Sequence, residues 1–286
     1  MSASTLTHQI FPPSAVRTAR AARAGWRRLG EQARFFGKTL ASLVEVFVHY
    51  RAELLRQVAA MSLGTGSLVV IGGTVAVTAF LTMSTGGTLA SESYNQLSNI
   101  GTEALTGFAS AFANTRLVTP ATGAIAFAAT IGAGATAQLG AMRINEEIDA
   151  LEVMGIRSIA YLASTRVAAG VIVAVPLYCI ALILGFAAGR VVTTAFYGQS
   201  AGVFNHYFNT FFVPADAVRS FVVMMAVVTT IMLVHTYYGF NASGGPAGVG
   251  EAVGRATRAS LIASVIVIMF VTLAIYGQTG HFNLAG

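Results

Sequence analysis

Residues 57–91 contain no charged side chain, and this feature restricts most strongly how the chain can fold. Within them, residues 61–83 form an apolar section long enough to cross the hydrocarbon core of a bilayer as one helix. Similar apolar sections follow, and the whole chain is 55% hydrophobic and only 10% charged. The backbone polar groups of a lipid-exposed segment must be satisfied internally, so a helical integral membrane protein is predicted.

Five apolar sections predict an all-α integral membrane protein with five transmembrane helices. The polar and glycine-rich sections between them predict an external loop at residues 84–99, an aromatic external loop at 190–219 and an internal loop at 241–257. The five predicted spans are residues 61–83, 117–139, 159–188, 220–238 and 259–276.

The amino-terminal region is basic before the first span. Residues 1–14 are polar and predicted to be disordered, whereas residues 15–58 hold nine of the seventeen Lys and Arg residues. Apolar side chains recur there on one helical face, which predicts basic amphipathic helices in the membrane interface. The net charge of +6 therefore favours a membrane surface over nucleic acid as the partner. These apolar residues are Phe36, Leu40, Leu43, Phe47 and Leu54.

Two further sequence features argue against a nucleotide site and against cysteine chemistry in this chain. Gly37-Lys38-Thr39 matches the end of a phosphate-binding loop, but Gln32 stands where that loop needs its first glycine, so no nucleotide site is predicted. Cys179 is the only cysteine, so an intrachain disulfide and a thiolate metal cluster are both excluded. No cofactor or metal is expected in this chain.

The charge distribution predicts the orientation. With the amino terminus in the cytoplasm, the internal segments hold fourteen of the seventeen basic residues, and only Arg116, Arg190 and Arg219 lie outside. This arrangement satisfies the positive-inside rule, and residues 277–286 then form an external tail.

Residues 143–156 form an acidic segment between the second and third spans, with four of the eleven acidic residues. Asn145 is a predicted N-cap, and Gly155 is a predicted left-handed stop. Ile144, Ile148 and Leu151 form one apolar stripe. Such a helix lies on the membrane surface or docks in a groove of a soluble partner.

Gln138-Leu-Gly-Ala-Met-Arg143, continuing into residues 146–155, resembles the signature of MlaE/YrbE-type permeases. A weaker similarity extends over residues 54–270, and residues 59–276 are assigned to the permease domain. These permeases are the membrane subunits of lipid-transporting ABC systems. The resemblance implies that residues 15–58 include an elbow helix and that residues 143–156 are a cytoplasmic coupling helix. The expected contacts with an ABC ATPase dimer, which binds ATP and Mg, are Glu146, Glu147, Ile148, Asp149, Leu151, Glu152 and Met154.

The resemblance also implies the other partners: a second homologous permease, MCE-domain lipid-binding proteins outside, and a lipid, all at the cytoplasmic (inner) membrane. Many members carry Arg and Glu where this chain has Thr130 and Gln138. Their joint loss suggests one half of a heterodimer, although drift at tolerant positions explains it equally. With the Arg-, Ala- and Gly-rich composition, it points to the YrbE branch of actinobacterial Mce importers.

Small residues in the first two spans are candidates for a lipid path, because they leave room for a tail. Helix packing alone explains each of them as well. His235 is a candidate proton relay, or else a hydrogen-bonded histidine near the inner interface. The candidate path residues are Gly66, Gly72, Gly73, Ala128 and Gly132.

The expected function is transport, not catalysis: the chain is predicted to move a hydrophobic lipid, such as a fatty acid or sterol, between an external MCE shuttle and the membrane or cytoplasm. An ion-coupled secondary transporter is the alternative, but it needs carboxylates inside the spans, and Glu103 and Asp216 lie at span edges. A membrane scaffold without a transport cycle stays open.

Overall fold

A computed structural model describes residue 27 and residues 29–63 and 69–277. The predicted disorder of residues 1–14, nearly all of the external tail and Gly66 lie outside the described residues. The described part is all-α. Its helices are α1 (29–41), α2 (Leu43–His49), α3 (Arg51–Leu63), α4 (Val69–Ser98), α5 (Glu103–Ile144), α6 (Glu147–Val153), α7 (Ile159–Phe196), α8 (Ala201–Phe211), α9 (Pro214–Phe240) and α10 (Gly245–Tyr276).

Within the described residues, four helices are long and apolar enough to cross a membrane: α5, α7, α9 and α10. They contain the predicted second to fifth spans, each extended at one or both ends. The predicted first span is divided among the end of α3, residues outside the description and the first half of α4. α4 packs along α7, but a fifth crossing stays a prediction.

The predicted external loop at 84–99 is wrong, because α4 continues as a helix to Ser98. Threonine hydroxyls in α4 donate to the carbonyl oxygens four residues earlier, as Thr82 does to Thr78 at 2.7 Å and Thr85 to Leu81 at 2.6 Å. Their polarity is therefore satisfied inside the helix. Gly86 allows close helix contact, because a Cβ built on it would lie 2.7 Å from the Gly185 carbonyl oxygen of α7.

The predicted loop at 190–219 is also largely helical, since α7 runs to Phe196 and α8 follows. Its aromatic residues pack on the neighbouring helices, with Phe208 against Phe186 at a ring distance of 4.9 Å and Phe211 against Phe108 at 4.8 Å. Aromatic packing, in addition to an interfacial belt, therefore explains this section.

The predicted internal loop at 241–257 becomes helical at Gly245. Pro246 lies in the first turn, where a missing N–H costs no helical hydrogen bond, and Gly244 before it has a φ of 93°. Val249 of this section packs on α5: a Cβ built on Gly140 of α5 would lie 3.0 Å from a methyl carbon of Val249. This part of α10 therefore packs against α5.

The core lies between α5, α7 and α9. Phe127 of α5, Val167 of α7 and Ile231 of α9 belong to one buried cluster and are at most 1% exposed. α10 differs, because only 11% of its most apolar section is buried, against 50% for α9. α10 therefore turns most of its apolar surface outward.

Candidate coupling surface and lipid cavity

The acidic segment forms helix α6, which begins one residue later than predicted. Asn145 follows the last residue of α5, and Glu146 adopts a left-handed conformation with a φ of 58° before α6 starts at Glu147. The prediction of Asn145 as N-cap is therefore wrong, because α5 continues to Ile144 and leaves only two residues for the reversal. Gly155 has a φ of 78°, which confirms the predicted left-handed stop.

The apolar stripe of α6 lies against its own chain. Ile148 is 0% exposed and forms a buried cluster with Leu139 of α5 and Leu162 of α7. Leu151 is partly buried against the same cluster. Ile148 therefore has no exposed surface with which to contact a partner, and Leu151 has little.

The outward side of α6 combines acidic and apolar groups. Val153 is 89% exposed and Met154 65%, although both are large apolar side chains. The exposed carboxylates nearby are partly paired: Asp149 accepts from Arg143 at 2.5 Å, and Glu152 accepts from the Ser158 hydroxyl at 2.6 Å. The predicted coupling residues Glu146, Glu147, Asp149, Glu152 and Met154 are all exposed here, and Val153 is an addition that the stripe analysis missed.

Glu53 of α3 connects this helix to the start of α7. It is 7% exposed and accepts hydrogen bonds from Arg56 at 2.8 Å, Gln57 at 2.6 Å and the Tyr161 hydroxyl at 3.4 Å. Burial alone raises the pKa of Glu53, but the hydrogen bonds from Arg56 and Gln57, with the nearby arginine charges, hold the pKa below its ordinary value of 4.5. The ionised carboxylate is therefore the form that the fold stabilises.

Glu53→Gln is expected to destabilise the protein at neutral pH by about 1–3 kcal/mol, because the charge-assisted hydrogen bonds weaken. With a depressed folded-state pKa, the wild-type contribution is present above 4.5 and is lost as the pH falls through the folded-state pKa. Thermal unfolding in detergent should therefore show the two proteins converging in acid. Glu31→Gln, in an exposed pair with Arg27, is the control and should change little. Equal stability of Glu53→Gln and wild type at neutral pH would contradict the role of Glu53.

A cavity of about 320 Å³ lies between the end of α3, the start of α4 and the middle of α5. It contains Gly73, where a built Cβ would meet nothing within 4 Å. Thr130 and Gln138, the two positions that depart from the family pattern, line the same cavity. Its other lining residues are Ala60, Met61, Thr74, Ile131, Gly134 and Ala135.

Two other candidate path residues lie outside this cavity. Ala128 is 0% exposed in the main core, and a Cβ built on Gly132 would lie 2.7 Å from the His235 ring. Both positions contribute to helix packing, and their part in a lipid path stays a prediction. Gly66 is outside the described residues, and the surroundings of Gly72 are not described.

His235 is enclosed where α5, α9 and α10 meet. It is 0% exposed, with Nδ1 2.7 Å from the Thr136 hydroxyl and Nε2 3.1 Å from the Ser260 hydroxyl. Both ring nitrogens have partners. The arrangement favours the hydrogen-bonded interpretation over a proton relay.

Asp216 forms an ion cluster that sequence analysis missed. It accepts hydrogen bonds from Arg116 at 2.5 and 3.0 Å and from Arg219 at 2.9 Å, and it is 6% exposed. The cluster ties the first half of α5 to the start of α9. Charges beside apolar sections were the only available signal, and they did not show which residues pair.

Fold and sites together define a multi-pass, all-α membrane protein that presents a short acidic helix between two of its spans. The chain belongs to the MlaE permease family, because the family model described as Permease MlaE matches residues 65–274.

Curated relatives are similar to this chain at moderate identity. A probable ABC transporter permease protein of Synechocystis is 28% identical over 170 residues, which cover 59% of this chain and 65% of the relative. The chloroplastic protein TRIGALACTOSYLDIACYLGLYCEROL 1 of Arabidopsis thaliana is 26% identical over 64% of this chain and 52% of the relative. The matches thus span less than two thirds of these two relatives. A probable ABC transporter permease protein of Rickettsia bellii is 28% identical over 68% of this chain and 73% of the relative.

Proposed function

We propose that this chain is the permease subunit of an ABC-type lipid transporter and that a separate ATPase subunit docks on α6. The observation that carries the proposal is the exposure of Val153 and Met154 among carboxylates on a helix whose other face is fixed to the permease core. Large exposed apolar side chains with a charged rim are typical of a protein interface. The names of the curated relatives support the ABC class.

The proposed coupling contact differs from the one expected from sequence. Met154 and Val153 fill an apolar part of the ATPase groove, while Glu146 and Glu147 meet basic or amide groups at its rim. Ile148 and Leu151 act from the other face, since they hold α6 on α5 and α7. ATP and Mg belong to the ATPase, and this chain supplies no catalytic group.

The lipid is proposed to pass the cavity that contains Gly73. That cavity is mainly apolar, and Thr130 and Gln138 give it uncharged polar groups. The Thr130 hydroxyl already donates to the Ala126 carbonyl at 2.6 Å, whereas no hydrogen bond to another described residue occupies the Gln138 amide, which can therefore meet a polar lipid head. An uncharged lining suits a sterol, or a fatty acid whose carboxylate is met elsewhere in the complex.

We propose that a second, homologous permease retains the charged side chains that are missing at Thr130 and Gln138. We assign the chain to the YrbE branch of Mce systems, with the amino terminus in the cytoplasm of the inner membrane and MCE-domain proteins outside. The positive-inside count and the neutral pair support this assignment.

The test is purification of the intact complex from its native host, with identification of its subunits and lipids by mass spectrometry. We expect an ABC ATPase, MCE proteins, a second permease and a bound lipid, and we expect ATP hydrolysis by the complex but none by the isolated chain. Specific, saturable ATP labelling of the isolated chain would overturn the assignment of ATP binding to a separate subunit. An active complex with two identical copies of this chain would overturn the heterodimer.

A further inference from the structure

A second cavity, of about 380 Å³, lies where α1 and α2 meet the start of α7. Lys38 and Ser42 line it from the interfacial helices, and Arg157 lines it from the segment that follows α6. Lys38 is the only lysine in the chain, and the phosphate-loop comparison gave it no role. The residues that line this cavity belong neither to α6 nor to the cavity that contains Gly73.

The groups that line this cavity are suited to an anion. Arg157 pairs with Glu45, so its charge is partly compensated, and the Ser158 hydroxyl already donates to Glu152, so Lys38 supplies the uncompensated positive charge. Among the described residues, no carboxylate lies within 4 Å of the Lys38 amine. Residues 158–160 also line the cavity, and they are the N-cap and the first two residues of α7, where backbone N–H groups have no acceptor within the helix.

The location favours a lipid over a soluble anion. Leu40 is 41% exposed and Val44 74%, and both lie on the same two helices, although outside the cavity lining. Phe47 of α2 is 49% exposed. Interfacial helices bury such side chains at the boundary between headgroups and acyl chains, which places the cavity at the depth of the lipid phosphates.

We propose that this cavity binds the phosphate of an anionic phospholipid from the leaflet in which α1 and α2 lie. The Lys38 amine, the Ser42 hydroxyl and the start of α7 hold the phosphate, while the acyl chains extend into the adjoining leaflet. The site does not depend on the transport proposal, because its ligand is a resident membrane lipid. A bound lipid ties α1 and α2 to Arg157, four residues after the end of α6, and so supports the position of the coupling helix.

Native mass spectrometry of the full chain, released from nanodiscs of phosphatidylglycerol and phosphatidylcholine, tests the site. We expect the wild type to retain phosphatidylglycerol. Lys38→Gln should lower the affinity by up to about tenfold, because one charge-assisted contact is lost. Lys38→Arg should restore binding. Arg34→Gln removes the same charge one turn earlier on α1, outside the cavity lining, and should retain the lipid.

Each outcome decides the proposal. Equal retention of phosphatidylglycerol by Lys38→Gln and wild type would overturn it, and so would equal loss in Lys38→Gln and Arg34→Gln, which would indicate general surface charge. Displacement of the lipid by added inorganic phosphate at low concentration would show that a soluble phosphate is the ligand instead. Thermal unfolding checks that Lys38→Gln remains folded, which its exposed side chain predicts.

Discussion

Replacing Met154 by aspartate is expected to abolish retention of the ATPase while the permease stays folded. Met154 is 65% exposed in the free chain, so a charge there stays in water. In the docked complex the same charge would be buried without a partner, at a cost of about 3–5 kcal/mol. That cost corresponds to a loss of affinity of a hundredfold or more. Co-purification of the ATPase with the complex, with the melting temperature of the permease as a check, measures both effects.

Two matched variants separate docking from folding. Ile148→Asp puts a charge into the buried cluster of α5, α6 and α7 and should destabilise the permease itself. Glu147→Gln removes one rim charge and should weaken docking by about 1 kcal/mol or less, in a salt-dependent way. If Met154→Asp and Val153→Asp both retain the ATPase and support full transport, α6 is an interfacial helix without a docked partner.

Gly86→Leu is expected to prevent correct assembly of α4 on α7. A Cβ at this position would lie 2.7 Å from the carbonyl oxygen and 3.0 Å from the Cα of Gly185, and backbone atoms cannot rotate out of the way. The two helices must separate, which we expect to cost about 3 kcal/mol or more. The yield of monodisperse protein and its melting temperature in detergent report the loss.

Gly73→Leu is the matched control on the same helix. A Cβ there would meet nothing within 4 Å, so the protein should fold and retain the ATPase. The leucine should instead fill part of the cavity next to Thr130 and Gln138 and lower lipid transport. Normal folding of Gly86→Leu would contradict the close contact between α4 and α7. Unchanged transport by Gly73→Leu would indicate that the lipid path does not pass through this cavity.

Sequence periodicity and length predicted the four apolar helices α5, α7, α9 and α10, because uninterrupted apolar runs have few alternatives to a spanning helix. They failed at the helix ends. Residues 84–99 have the composition of a loop, but Thr85 bonds its own helix and Gly86 faces Gly185, and neither contact can be seen from local composition. Tertiary contact decided these boundaries.

The candidate coupling surface was likewise predictable from the sequence only in part. The stripe through Ile148 correctly indicated a packed face, yet periodicity does not tell whether the face meets a partner or the same chain. Asn145 has the chemistry of an N-cap, but the length of α5 determined where α6 could start. Asp216 and Arg116 are 100 residues apart, so no local pattern could pair them.

The burial of Ile148 between Leu139 and Leu162 reduces the freedom of α6 to move alone. The cluster joins the last part of α5 to the first turn of α7, and closely packed interiors transmit displacement with little compression. A partner that pulls on α6 must therefore carry with it the ends of both long helices that lie next to α6. We expect the permease to respond by rotation of α5 and α7 as one rigid unit, without opening a gap between them.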